Sequence, residues 1–170
     1  LAEELGHAYT RLESYNGALN IALLDADADT LLSHADVLQG LVDDDTLPYF
    51  ASAHANGFRA NALMLQGELG PALDLMAEAA PVWQEFWGAW CYPLDSAFAT
   101  ALAAGGRVVE AIDHVQTQLD AAQQSGAHWW DAEFHRVLGE LLFAQNTANL
   151  EGVRANFDRA LVVARQQQSP

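Results

Sequence analysis

The stretch Gly126–Arg165, GAHWWDAEFHRVLGELLFAQNTANLEGVRANFDRALVVAR, decides the fold. Its first half places Trp130, Phe134, Val137, Leu138, Leu141 and Leu142 at offsets of 0, 4, 7, 8, 11 and 12, one face of a 3.6-residue period. Its second half repeats the pattern with Phe157, Ala160, Leu161 and Ala164. The polar run Asn146–Asn149 separates the two, so the stretch reads as a helix, a turn and a helix. A pair of this kind cannot bury its apolar stripe alone and needs neighbours of the same type.

Working outward, turn chemistry recurs at Asp25–Asp29, Asp43–Pro48, Gly67–Pro71, Gly88, Gly105–Gly106 and Gly126. Helices are expected at roughly 8–25, 28–43, 47–67, 70–87, 91–104, 107–124, 127–145 and 150–167, with no sustained strand alternation. Asp45 and Thr46 are N-cap candidates before Leu47, and Gly105 or Gly106 suits a helix C-terminus. Pro48 and Pro71 fall near helix starts, where a missing N–H costs little. Pro81 falls inside a helix, where a kink is expected.

The pairs fit a tetratricopeptide spacing, in which small residues at repeat positions 8, 20 and 27 let helices cross closely. Ala60, Leu63, Gly67, Ala72, Met76 and Ala79 fill positions 8, 11, 15, 20, 24 and 27. Ala99, Leu102, Gly106, Ala111 and Val115 fill 8, 11, 15, 20 and 24, and Gln118 departs from the pattern at 27. Leu138, Gly139, Leu142, Phe157 and Ala160 fit if the turn carries two extra residues. The expectation is an all-α, α-α superhelix of tetratricopeptide type: one domain over 1–170 with about four helix pairs (8–43, 47–87, 91–124, 127–167). Three repeats are fitted; the register of the first pair is not fixed.

Composition limits the functions open to such a scaffold. The 170 residues are 51% hydrophobic and carry a net charge of −16, with seven arginines and no lysine. So negative a chain repels nucleic-acid backbones and anionic membrane surfaces, and it either confers solubility or recruits a basic partner. The single cysteine, Cys91, allows no internal disulfide and no cysteine-based zinc site, which fits a cytoplasmic compartment. No run approaches the ~18 apolar residues of a membrane span. The first ten residues read as neither a signal peptide nor a natural start, which suggests a fragment of a larger protein.

Catalytic constellations are not visible: Cys91 has no histidine or cation beside it, and Ser33, Ser96 and Ser125 lack a nucleophile-elbow context. No cofactor motif is present, and Gly105–Gly106–Arg107 is a turn rather than a phosphate loop. Asp43–Asp45 lacks calcium-loop spacing and reads as a solvated loop. His128, Asp131 and His135 share a helical face at i, i+3 and i+7, but no fourth ligand accompanies them, so surface packing explains them better than a metal. The expectation is therefore a chain without enzyme activity.

The run HWWDAEFHRVLGELLFAQ…FDRALVVAR resembles the C-terminal tetratricopeptide region of bacterial signal-transduction ATPases, often described as adenylate/guanylate cyclase-like or LuxR/AfsR-type regulators. Trp129, Trp130, Ala132, Glu133, His135, Arg136, Gly139, Glu140, Leu141 and Leu142 carry the resemblance. The family's P-loop, cyclase residues and helix-turn-helix have no counterpart in these 170 residues. What the resemblance implies is a partner-binding or sensory solenoid. In that fold, first-helix positions 2, 5, 9 and 12 line a groove, giving His54, Asn61 and Met64, then Ser96 and Thr100, then Glu133, Arg136, Glu140 and Phe143. This groove is expected to hold a protein or peptide, although Glu133–Arg136–Glu140 equally reads as surface ion pairs. An alternative is a small-molecule (inducer) pocket formed by Trp83, Trp87, Trp90 and Tyr92, rings that could also simply fill the core. A homodimer through the uncapped first helix pair is a further expectation.

Overall fold

Local capping and left-handed glycines set several of the helix boundaries in a computed structural model that describes residues 7–44 and 46–167. Asp27 accepts from the Thr30 amide (3.1 Å) and the Thr30 hydroxyl (2.7 Å), and Asn149 accepts from the Gly152 amide (3.3 Å). Each satisfies a donor that the first turn leaves free. Gly67, Gly106 and Gly126 have φ of 87°, 80° and 75°, so each turn uses the conformation that only glycine adopts cheaply. The resulting elements are α1 (Ala8–Leu24), α2 (Ala28–Asp43), α3 (Phe50–Leu65), α4 (Leu69–Phe86), α5 (Tyr92–Ala104), α6 (Val108–Ser125), α7 (Asp131–Gln145) and α8 (Leu150–Gln166). Short 3-10 turns, Gly88–Cys91 and His128–Trp130, precede α5 and α7. The fold is all-α, with no strand among the described residues.

The expected start of the third helix is corrected. Helix α3 starts at Phe50 rather than 47, and Thr46 does not cap it. The amides of Thr46 and Leu47 both donate to the Leu41 carbonyl at 2.9 Å, tying the loop back onto α2, and the first turn closes from Ala51 to the Pro48 carbonyl. Asp45 lies outside the described residues. Pro81 lies inside α4, as expected, and faces solvent, where water can satisfy the carbonyl that the proline ring leaves without a donor.

The helices pack consecutively in adjacent pairs: α1 on α2, α2 on α3 and α3 on α4, then α5 on α6, α6 on α7 and α7 on α8. Their contacts divide the chain into two compact units, Leu1–Gly88 and Ala89–Pro170, and the division falls between the expected second and third pairs. In the first unit Ala60, Ala72, Met76 and Ala79 are buried, as the repeat spacing requires; in the second, Ala99, Leu102, Ala111 and Val115 are. Gln118 at the departing position is buried as well. Between α7 and α8 the approach is close. A Cβ added to Gly139 would stand 3.0 Å from Cε1 of the Phe157 ring, so glycine is what admits that ring.

Trp83 and Phe58 fill the first unit and Phe134 the second, all at 0% exposure, each contributing about 1.5–3 kcal/mol from burial. Helix α3 is buried on nearly every side, from Ala51 through Ala62, and its small residues let α2 and α4 approach from different directions. No helix among the described residues is long and apolar enough to cross a membrane.

Candidate functional site

In the first unit, α3 begins with aromatic residues and α4 ends with them, and the two termini meet. Phe50, His54 and Phe58 follow at i, i+4 and i+8 on one face of α3. Phe50 stacks on Phe86 (4.8 Å between centroids, 9° between planes), and Tyr49 meets Phe86 edge-on at 5.8 Å. Phe50 also meets Trp87 edge-on at 5.8 Å; Trp87 lies 4.6 Å from His54, and His54 stacks on Phe58 at 5.0 Å. A continuous aromatic ladder thus runs from exposed Tyr49 and Phe86 (68% and 43% exposed) down to His54 at 2%.

At the buried end of this ladder, neither ring nitrogen of His54 and not the indole nitrogen of Trp87 has a hydrogen-bond partner. Burial pushes the His54 pKa from 6.5 down to about 4, so the ring is neutral at pH 7. One turn further on, Asn61 donates to the Gly57 carbonyl of its own helix at 3.2 Å.

In the second unit the polar groups are largely tied up. The Ser96 hydroxyl donates to the Pro93 carbonyl (2.9 Å) and accepts from the indole N–H of Trp130 (3.2 Å), while Thr100 donates to the Ser96 carbonyl (3.0 Å). His114 Nε2 lies 3.1 Å from Oδ1 of the fully buried Asp95. Burial, and then the charge of Asp95, push the Cys91 thiol far up, which keeps it from being a thiolate nucleophile. Arg136 grips Glu133 with two N–H···O bonds of 2.7 Å and reaches Glu140 with a third. The Glu133 hydrogen bonds are the chief reason its pKa is raised. Phe143, further along α7, is 48% exposed.

The expected groove residues therefore differ in access. His54, Asn61 and Ser96 are buried; Met64, Glu133 and Arg136 are half-buried; Thr100, Glu140 and Phe143 are exposed. The accessible members concentrate on α7, with Thr100 on α5, and α5 and α7 are in contact. Of the four rings in the alternative pocket, Trp83 is interior and Trp87 half-buried in the first unit. Tyr92 is interior in the second, against Phe134 (5.1 Å) and Trp129 (6.1 Å), and Trp90 is exposed. Tyr49, Phe50 and Phe58 are the rings that sequence reasoning passed over; the i, i+4 run of Phe50, His54 and Phe58 was the available signal.

His128 pairs with Asp131 at 2.8 Å, whereas His135 turns to Asn156 of α8 at 3.2 Å, so this triad does not converge. No group of three potential metal ligands occurs among the described residues. No protein-family model matches the chain, and no curated protein matches its sequence.

Proposed function

We propose that this chain is a non-catalytic, tetratricopeptide-like scaffold that binds a protein or peptide segment, working in the cytoplasm as the regulatory arm of a bacterial signalling protein. The observation that carries the reading is the set of exposed or half-buried side chains Thr100, Arg136, Glu140 and Phe143 on two helices in contact, α5 and α7. Such helix pairs give a rigid surface of mixed polar and apolar character, suited to helix-in-groove or extended-peptide docking. The candidate nucleophiles support a non-catalytic role: Cys91 is buried with a raised pKa, and Ser96 Oγ is engaged with Pro93 and Trp130. The combined Thr100→Ala, Arg136→Ala and Phe143→Ala variant should keep its helical circular dichroism and lose its partner. Undiminished partner capture by a folded triple variant contradicts the assignment.

One observation favours a second reading, sensing of a small molecule. The unpartnered nitrogens of His54 and Trp87 end an aromatic ladder whose other end is open to solvent. Aromatic walls around a few polar atoms are the usual lining of a small-molecule site. Saturable quenching of tryptophan fluorescence by a metabolite, abolished by His54→Phe, supports it; quenching that survives this substitution does not.

A further inference from the structure

The two units share the charge unequally. Leu1–Gly88 holds fourteen of the 23 acidic residues and only two of the seven arginines, a net charge of −12 against −16 for the whole chain. Of those two, Arg59 is held by Asp36 at 2.6 Å. The exposed end of the aromatic ladder, Tyr49 and Phe86 with Phe50 stacked behind, lies in this acidic unit. Exposed carboxylates flank it along the chain: Asp43 and Asp44 lead into the loop that carries Tyr49, and Glu85 immediately precedes Phe86.

An exposed aromatic pair in a strongly acidic unit attracts one class of group. A guanidinium stacks flat on an aromatic face, gains from the ring quadrupole, and offers N–H donors to neighbouring carboxylates. We propose that the Tyr49–Phe86 face docks an arginine-rich segment of the partner protein. The long-range field of the unit steers such a segment in, and the rings select arginine over lysine. Nucleic acid and anionic membranes are repelled by the same field. The inference rests on the scaffold reading and names the partner's chemistry.

The test uses the full chain with fluorescent octa-arginine and octa-lysine peptides, which carry equal charge. Octa-arginine should bind at least about five-fold tighter than octa-lysine, since a planar, weakly hydrated guanidinium stacks on the rings and a strongly hydrated ammonium does not. Tyr49→Ser with Phe86→Ser should weaken octa-arginine about ten-fold and octa-lysine far less, and Asp44→Asn with Glu85→Gln should weaken both. Tyr49→Phe, which keeps the ring, should bind like the parent chain. Equal binding of the two peptides, or unchanged octa-arginine binding by a folded Tyr49→Ser, Phe86→Ser variant, overturns the proposal. Those outcomes leave the scaffold reading standing, because that reading is judged on the α5–α7 face of the other unit.

Discussion

Acid should weaken the fold through His54, by an amount the structure sets. Its folded pKa is about 4 against an ordinary 6.5, because burial penalises the charged ring. Between these values the unfolded chain carries a proton at this site and the folded chain does not. Stability is therefore intact above pH 6.5 and is lost as pH falls towards 4. A shift of that size corresponds to ~3 kcal/mol in full and ~2 kcal/mol by pH 5. His54→Phe keeps a ring against Phe58 and Trp87 while removing the titrating group and its two unpartnered nitrogens. Urea unfolding of both proteins at pH 7.5 and pH 5, followed by circular dichroism, isolates the effect. Every other ionisable group is common to both chains, so its contribution cancels. The parent should lose ~2 kcal/mol more than His54→Phe on going to pH 5. Parallel losses in the two proteins would refute the reasoning.

Glycine substitutions separate close approach from helix propensity. Gly40→Ala on α2, where nothing lies within 4 Å of the new Cβ, should stabilise by up to ~1 kcal/mol in thermal melts. Gly139→Ala should show none of that gain, because the Phe157 ring must move; an equal gain at both sites would mean that the α7–α8 contact is looser than described. Removing the α8 cap with Asn149→Ala should cost ~1 kcal/mol, seen as a lower urea midpoint at unchanged slope. Any self-association through the exposed Tyr9, Ile21 and Leu24 of α1 should strengthen as salt screens the net charge of −16, and light scattering that shows it strongest at low salt would contradict this.

Much of this architecture was legible because its determinants are local. Gly67, Gly106 and Gly126 mark turns by a conformation other residues avoid, and the buried alanines at 60, 72, 99 and 111 follow from spacing alone. The Arg136 clamp on Glu133 and Glu140 was likewise readable, since partners three and four residues away on a helix are neighbours. What escaped depends on tertiary contacts. Thr46 looks like a cap, yet its amide is drawn to Leu41 of the preceding helix. His54 sits at a groove position by register, but α3 is covered on nearly all sides; its run of small residues was the sign, whereas hydrophobic periodicity finds a single buried face. His135 shares a face with His128 and Asp131 on a continuous helix, but a 3-10 turn covers His128–Trp130, and Asn156, its partner, is supplied by the next helix.

Site-specific photocrosslinking tests the scaffold claim most directly. Benzoylphenylalanine is placed at Phe143 or Thr100 on the proposed face, or at the exposed Asp158 on α8 as a control, and the chain is irradiated in living bacterial cells. One discrete protein adduct from positions 143 and 100, and none from 158, is the predicted result; adducts from all three alike, or from 158 alone, would contradict the docking face.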